Sequence, residues 1–342
     1  MPVAAIADAG VLRDIVGRVE TIAELVPGQF EVRIGLAVAT TGPEPGQLLN
    51  MLFGNSSIHD DITLHDAELP DAVVQGFGGP RRGLEGLRAR CGAVGRAMSC
   101  SALKPQGLAP DALGAIAARL GDGGIDFVKD DHGLADQAYS PFARRVAAVA
   151  AALRRSGART CYVPSLSGNL DDMRRQVRLA RDEGIDAVLV APMIAGLANF
   201  HALVREFPGV GFMTHPAMAG AARIAPALLL GKLLRMLGAD ATVFPNHGGR
   251  FGYTPETCRA IADAARGPLA GLKPCVPVPA GGMTPERVPE MLDFYGRDTM
   301  LLIGGGLLQA RERLAEAAAA FTRQVKAGQV KAGPAQAGQI AG

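Results

Sequence analysis

The chain has 342 residues, a length that suits one (β/α)8 barrel of about 250 residues with a smaller domain beside it. Hydrophobic residues make up 48% of the chain, charged residues 20%, and the formal net charge is +2, which allows a sizeable core and argues against a nucleic-acid-binding module. The five cysteines show no metal-binding spacing, and no segment is typical of a secretory signal or a membrane span. These features predict a cytoplasmic protein that binds neither nucleic acid nor membrane.

The first 95 residues predict a small α+β domain. Residues 30–38 and 62–69 alternate between apolar and polar side chains, as half-buried strands do, and residues 47–53 suit a short helix. Residues 84–93 predict the helix that leads into the next domain. We therefore expect an N-terminal domain over residues 1–95.

Eight short apolar runs follow, about 23 to 34 residues apart, which is the length of one strand, one loop and one helix. They start near Ser99, Ile125, Arg159, Asp186, Gly209, Ala241, Pro274 and Thr299. Helical periodicity appears between them, at residues 111–120, 141–154, 171–183, 221–237 and 255–265. Eight such units close a barrel, so we predict an α/β protein with a (β/α)8 TIM barrel over residues 96–324. Residues 325–342 are of low complexity and predict a disordered tail.

Polar residues end the second predicted barrel strand in the order Lys129, Asp130, Asp131 and His132. Active sites of such barrels lie at the carboxyl ends of the strands, so these side chains are candidates for chemistry. A carbamylated lysine beside carboxylates offers oxygen ligands to a hard ion such as Mg²⁺. The alternative is a salt-bridged strand end that holds no metal.

Lys104 and His215 end the first and fifth predicted barrel strands. Lys104 is a candidate for a general base or for a cation that stabilises an enolate, and the alternative is a lysine that binds phosphate. His215 is a candidate for a general acid or base, and the alternative is a histidine with a purely structural role.

Glycine clusters end the last three predicted strands, at Gly248-Gly249, Gly281-Gly282 and Gly304-Gly305-Gly306. Loops without Cβ atoms let backbone N–H groups approach an oxyanion, and barrels commonly bind phosphate at this place. The clusters predict a phosphate-binding site, and the alternative is that they form tight turns only.

Seven short motifs together resemble the ribulose-bisphosphate carboxylase (RuBisCO) large-chain superfamily, and within it the non-carboxylating RuBisCO-like proteins of form IV. The motifs are LFGN at 52–55, ALKP at 102–105, GIDFVKDD at 124–131, THP at 214–216, LGKL at 230–233, PAGG at 279–282 and IGGG at 303–306. They follow the order of the predicted strands, and the resemblance covers the chain from about residue 30 to residue 320.

The resemblance implies a ferredoxin-like N-terminal domain, here shortened, and a homodimer in which each active site is shared between two subunits. It implies that Asn50 is the asparagine donated to the partner's site and that Lys104 is the catalytic lysine. Lys129 matches the carbamylated lysine, Asp131 matches a Mg²⁺ ligand and His215 matches the strand-five histidine. The clusters at 281–282 and 304–306 match the phosphate loops of the family.

Several positions depart from the family pattern. The third metal position, a glutamate in the family, is His132, and imidazole is a poorer ligand for a hard ion. Gln106 and Pro216 replace a lysine and an arginine that the resemblance associates with a second phosphate. Residues 245–251 replace the flexible strand-six loop and its mobile lysine. These departures argue against carboxylation of a bisphosphate.

Of the chemistry that the resemblance implies for the superfamily, these departures leave proton abstraction next to a carbonyl group in a substrate with one phosphate. The resemblance to the RuBisCO-like proteins that move protons along 5-methylthioribulose 1-phosphate implies isomerisation of this compound in methionine salvage, and the apolar replacements suit its thioether tail. The resemblance also includes the diketo-methylthiopentyl phosphate enolases, but the loop at 246–250 differs from the loop expected in them. We therefore favour the isomerase over this enolase. Two alternatives stay open: a decarboxylase of the 3-oxo-isoapionate-4-phosphate type, and a binding or regulatory protein without activity.

Overall fold

The structure is a computed structural model that describes residues 3–328. The strands in this part of the chain are β1 (Arg18–Val26), β2 (Gln29–Gly35), β3 (Met98–Leu103), β4 (Phe127–Asp130), β5 (Cys161–Val163), β6 (Ala187–Val190), β7 (Gly211–Thr214), β8 (Ala241–Pro245), β9 (Val276–Ala280) and β10 (Met300–Ile303). The α-helices are α1 (Ala9–Asp14), α2 (Pro45–Phe53), α3 (Asp71–Phe77), α4 (Gly83–Cys91), α5 (Pro110–Asp122), α6 (Phe142–Ser156), α7 (Leu170–Asp182), α8 (Pro192–Ala195), α9 (Leu197–Glu206), α10 (Leu234–Met236), α11 (Pro255–Arg266), α12 (Val288–Tyr295), α13 (Gly305–Leu308) and α14 (Leu314–Ala327).

Strands β3 to β10 form one parallel sheet in the order β5-β4-β3-β10-β9-β8-β7-β6. A parallel bridge between Ser165 and Leu189 joins its two ends, so the sheet closes into a barrel. The strands are buried almost throughout, because helices cover the outside and side chains fill the inside. All eight predicted barrel strands are present, and the predicted TIM barrel is confirmed.

Helix α4 closes the bottom of the barrel, at the amino ends of the strands. Leu84, Leu87 and Cys91 pack in the same buried cluster as the side chains inside the barrel. Asp240, just before β8, accepts hydrogen bonds of 2.7 Å from the backbone N–H groups of Arg82 and Gly83 at the start of the helix. This arrangement leaves the carboxyl ends of the strands as the open mouth.

The predicted helix at 221–237 starts later than expected. A π-helix covers Ala227–Leu233 and continues into α10. Pro226 precedes it and disfavours helical geometry at Ala225, which explains the late start. The other predicted helices agree with the structure to within a few residues. Among residues 3–328, no helix is long and apolar enough to cross a membrane.

The N-terminal region is α+β, as predicted, but its antiparallel sheet contains only β1 and β2. The predicted strand at 62–69 is wrong, since this segment forms only a bridge between Leu64 and Ile224 of the barrel domain. Arg223 donates hydrogen bonds to the carbonyl groups of His59 and Ile62, at 2.6 and 3.1 Å, and so holds the segment against the barrel. Helix α2 confirms the helix predicted at 47–53.

The predicted tail begins too early. Helix α14 continues to Ala327, and Val325 is buried in the core because it belongs to the apolar face of that helix. The rest of the predicted tail, from residue 329 to residue 342, lies outside the described residues.

Candidate active site

Side chains from three barrel strands meet at the mouth. Lys104 follows β3, residues 129–132 span the end of β4, and His215 follows β7. Ala102 of β3 pairs with Lys129 of β4, which places the ends of these two strands side by side. The structure therefore brings together the residues that the sequence selected from separate parts of the chain.

Asp131 lies at the centre of this group. Its Oδ1 atom is 3.3 Å from Lys104 Nζ and 3.3 Å from His132 Nδ1. Burial favours the neutral acid, but the hydrogen bond with His132 and the charges of Lys104 and Lys129 outweigh it and hold the pKa of Asp131 below its usual value. Asp131 is therefore a carboxylate at neutral pH.

Lys129 is buried, with 3% of its surface exposed. Its Nζ donates a hydrogen bond of 2.9 Å to the carbonyl oxygen of Asp130. Burial lowers the pKa of this amine, because the charged form loses its hydration. Carbamylation requires a neutral amine, and burial makes that form easier to reach for Lys129 than for a lysine in solvent.

The next side chain, Asp130, points away from the mouth and anchors β4. Its carboxylate is 3.0 Å from Arg145 Nε, and both side chains are completely buried. Tyr162 Oη and the backbone N–H of Ser165 donate further hydrogen bonds to it, at 2.7 and 3.1 Å. This network fixes the end of β4, on which Lys129 and Asp131 stand.

His215 packs against His132. The two rings are stacked, with centroids 4.2 Å apart and planes 7° apart. His215 Nδ1 accepts a hydrogen bond from the backbone N–H of Ala217, at 3.2 Å, so the ring proton resides on Nε2. Burial, and then the charge of Lys129, lower the pKa of His215 to about 2, which makes the ring neutral at neutral pH.

The glycine loops after β8 and β9 pack backbone against backbone. A Cβ on Gly282, which has a φ of 65°, would lie 2.8 Å from the Cα of Gly249, and one on Gly249 would lie 3.0 Å from the carbonyl oxygen of Gly281. For Gly249 and Gly282, close packing alone requires glycine. Tight turns, the alternative to phosphate binding, therefore explain why residues 249 and 282 are glycines.

Open space surrounds three other glycines of the last two loops, whereas a Cβ on Gly306 would lie 3.2 Å from the carbonyl oxygen of Met283. A Cβ on Gly281, Gly304 or Gly305 would have no atom within 4 Å. The N–H groups of Gly305 and Gly306 are in the first turn of α13, where an α-helix provides no acceptor. These positions leave backbone N–H groups available to a phosphate.

Arg287 connects two of the loops and was not selected from the sequence. It donates hydrogen bonds to the carbonyl oxygens of Gly282, at 3.2 Å, and His247, at 3.3 Å. Its guanidinium group also stands beside Gly248, where a Cβ would lie 3.3 Å from Nη2. Nothing in the local sequence marks this arginine, because its partners are backbone atoms of loops far away in the chain.

Asn50 lies on the exposed side of α2, away from this group. Its side-chain hydrogen bond within residues 3–328 is a 3.5 Å contact from Nδ2 to Gln47 Oε1. Leu48 and Phe53 of the same helix are buried. Within one chain, none of the described contacts joins Asn50 to Lys104 or Lys129.

Asp131 and His132 are the side chains in this group that could bind a metal ion without being modified. No group of three His, Cys, Asp or Glu side chains in residues 3–328 converges on a possible ion. A carbamate on Lys129 would supply the third donor, since Lys129 stands beside Asp131 on the same strand end. The residues thus fit a divalent ion only with Lys129 modified, through two oxygen donors and one imidazole nitrogen.

Comparison with known proteins gives consistent matches over nearly the whole chain. Residues 83–333 match the family model described as ribulose bisphosphate carboxylase large chain, catalytic domain. The chain is 60% identical over 328 residues to ribulose bisphosphate carboxylase-like protein 1 of Rhodopseudomonas palustris, covering 95% of this chain and 89% of that protein. It is 58% identical over 330 residues to a 5-methylthioribulose-1-phosphate isomerase of Rhodospirillum rubrum, covering 95% of this chain and 88% of the relative.

A solved structure agrees with these matches. The crystal structure of a Rubisco-like protein from Rhodopseudomonas palustris aligns with a TM-score of 0.89 and 58% identity, covering 95% of this chain and 89% of that chain. The chain therefore belongs to the ribulose bisphosphate carboxylase large-chain family, among the RuBisCO-like proteins.

Proposed function

We propose that this protein isomerises 5-methylthioribulose 1-phosphate through an enolate and does not carboxylate its substrate. The observation that carries the proposal is the group of Lys104, Asp131 and His215 at the barrel mouth, which offers a lysine beside a carboxylate and a neutral imidazole. The identity of 58% to a relative named as this isomerase supports the choice of substrate.

The chain's own residues supply the proton chemistry. Lys104 takes the proton from the carbon next to the carbonyl group, and the C–H electrons form the enolate. The hydroxyl proton on that carbon passes to the former carbonyl oxygen, so that a new carbonyl group forms one carbon along the chain. The Lys104 side chain is 39% exposed and can exchange its protons with solvent, and its ammonium then protonates the former carbonyl carbon, which regenerates the amine. His215 donates a hydrogen bond from Nε2 to the developing oxyanion, since a neutral imidazole is a suitable donor there.

The glycine loops bind the single phosphate. Gly281, Gly304 and Gly305 border open space, so their backbone N–H groups can approach the phosphate oxygens without a side chain between them. Gln106 stands at the position of a lysine in the family pattern, and its side chain packs against Gly133 in the loop after β4. A single phosphate site at the glycine loops and an uncharged glutamine at position 106 suit a substrate with one phosphate and a thioether tail.

We propose that Asp131, His132 and carbamylated Lys129 hold a divalent ion, expected from the family to be Mg²⁺. Such an ion, when bound, polarises the carbonyl oxygen of the substrate and stabilises negative charge on it. We also propose a cytoplasmic homodimer in which Asn50 reaches the partner's site, because its exposed position leaves it available to a second subunit.

The test is exchange of solvent deuterium into 5-methylthioribulose 1-phosphate, followed by NMR together with formation of the isomer. We expect exchange with the wild-type protein and a loss of at least a hundredfold in the Lys104→Met variant. Lys232→Met is the matched control, because Lys232 pairs with Asp66 and, among the described residues, no ion pair or hydrogen bond joins it to Lys104, Asp131 or His215. Unchanged exchange in Lys104→Met would remove the proposed base. Release of CO2 from 3-oxo-isoapionate 4-phosphate, without any isomerisation, would favour the decarboxylase instead.

A further inference from the structure

Arg287 is the one side chain within residues 3–328 that hydrogen-bonds to the loops after both β8 and β9. Its Nη1 and Nη2 atoms donate to the carbonyl oxygen of His247, each at 3.3 Å, and Nη1 also donates to that of Gly282, at 3.2 Å. The two loops meet directly, since a Cβ on Gly282 would lie 2.8 Å from the Cα of Gly249. A single guanidinium group therefore bridges the backbones of two of the glycine loops.

The guanidinium group has no N–H left over for a ligand. Its Nε donates to Glu290 Oε2 at 3.1 Å, and its Nη2 donates to Oε1 of the same carboxylate at 3.0 Å. These two bonds and the three bonds to the loops use all five N–H groups of the arginine. Arg287 therefore acts on a ligand through the backbone that it holds and not by direct contact.

The bonds to these carbonyl groups also orient the N–H groups next to them. In a trans peptide the C=O and N–H bonds point in opposite directions, and neither peptide bond concerned here is cis. The N–H of Gly248 therefore points away from the guanidinium that binds the carbonyl of His247, and the N–H of Met283 is fixed in the same way through Gly282. Among the described residues, neither N–H has an acceptor. Arg287 thus sets the direction of two unpaired N–H groups, and such groups bind oxyanions.

We propose that Arg287 is a positioning residue for the phosphate site, because its hydrogen bonds hold the loops after β8 and β9 in the arrangement in which their backbone N–H groups bind the phosphate. The inference rests on the proposed function, which gives this mouth a phosphorylated substrate. The fork of the guanidinium group is required, since one group must reach two carbonyl oxygens and a carboxylate at once. A lysine at this position would keep the charge but could not make the same set of bonds.

Steady-state kinetics with 5-methylthioribulose 1-phosphate separate a positioning role from a general loss of structure. We expect Arg287→Lys to raise KM about tenfold and to change kcat less than about twofold, because the phosphate is bound equally in the ground state and the transition state. The matched control is Arg297→Lys, at an exposed arginine before β10 and so at the opposite end of the barrel, which should leave both constants unchanged. An unchanged KM in Arg287→Lys would overturn the proposal, since the charge alone would then be enough.

Chemical rescue tests the hydrogen bonds themselves. In Arg287→Ala, guanidinium ion at millimolar concentration can occupy the space beside Glu290 and donate to the same carbonyl oxygens. We expect it to lower the raised KM about threefold or more, and to leave the KM of the wild-type protein unchanged. Sodium chloride at equal ionic strength is the control for screening of charge. Equal effects of the two salts on Arg287→Ala would overturn the proposal.

Inorganic phosphate, followed by the width of its ³¹P NMR line, tests the site without the substrate. We expect the substrate-free wild-type protein to bind phosphate and Arg287→Lys to bind it about tenfold more weakly. Phosphate binding that is absent from the wild-type protein, or equal in the two proteins, would overturn the proposal. If phosphate binding depends on Arg287 while the wild-type protein fails to exchange deuterium into 5-methylthioribulose 1-phosphate, the isomerase alone is rejected.

Discussion

The rings of His132 and His215 are parallel and 4.2 Å apart, although they come from strand ends that are not neighbours in the barrel. Strands β5 and β6 stand between β4 and β7, so the two imidazoles meet across the mouth. One ring belongs to the proposed ion site and the other to the proposed oxyanion donor. A substitution of either histidine would therefore remove the stacking partner of the other.

The burial of His215 predicts how stability depends on pH. In the folded protein the pKa of His215 is lowered from 6.5 to about 2, so protonation favours the unfolded chain. Above pH 6.5 the ring is neutral in both states and the fold keeps its full stability. As the pH falls from 6.5 toward 2, the free energy of unfolding decreases by up to about 1.4 kcal/mol per pH unit because of His215. Urea unfolding at pH 7, 6 and 5, in EDTA, should show a shallower loss of stability in His215→Gln. The same series in His65→Gln is the control, and parallel profiles for wild type and His215→Gln would contradict the prediction.

The buried pair of Asp130 and Arg145 predicts a large effect on stability. In Arg145→Met the Asp130 carboxylate would stay buried without its cation, and we expect a loss of about 3 to 5 kcal/mol in the free energy of unfolding. The exposed neighbour Arg144 provides the matched control, since Arg144→Met should change stability by less than about 0.5 kcal/mol. Equal stabilities of the two variants in urea would show that the pair does not anchor β4.

The contact between the loops after β8 and β9 predicts an effect on substrate binding. In Gly282→Ala the new Cβ would stand 2.8 Å from the Cα of Gly249 at a residue with a φ of 65°, so the loops must separate. We expect the KM for the phosphorylated substrate to rise at least tenfold. Gly252→Ala, in open space in the same region, should leave KM unchanged. A KM that does not move in Gly282→Ala would argue that the loop contact does not shape the phosphate site.

The proposed shared site predicts complementation between inactive variants. Asn50→Ala and Lys104→Met are each expected to be inactive as homodimers. After subunit exchange, half of the dimers would be mixed and would contain one intact site, which gives about a quarter of wild-type activity. Asn55→Ala, just beyond the same helix, is the comparison. If the subunits exchange but activity is not recovered, a shared site is excluded. If Asn55→Ala is inactive while Asn50→Ala is active, the asparagine donated to the partner's site is a different one from Asn50.

The barrel and the mouth residues were predictable because they depend on local patterns. Continuous apolar runs marked the strands, and polar residues directly after them, such as Lys104 and His215, marked the carboxyl ends. The segment at 62–69 misled because it is held by one backbone bridge to Ile224 and a hydrogen bond from Arg223 rather than by a neighbouring strand of a sheet. The local pattern of apolar and polar residues cannot reveal contacts with residues so far away in the chain.

Geometry inside the site could not be predicted from residue types. The sequence placed His132 beside Asp131, but the stack on His215 depends on side-chain rotamers and on the distance across the barrel. Arg287 was missed for a related reason, since it binds backbone carbonyl groups that any residue could provide. Both relationships arise only when the barrel has closed.

Helix α4 gives the barrel a single entrance. With Leu84, Leu87 and Cys91 filling the opposite end, substrate, product and water must all pass between the loops that carry His215 and the glycine clusters. Substrate and product therefore share one passage, so a product molecule must leave by the way it entered before the next substrate molecule can bind.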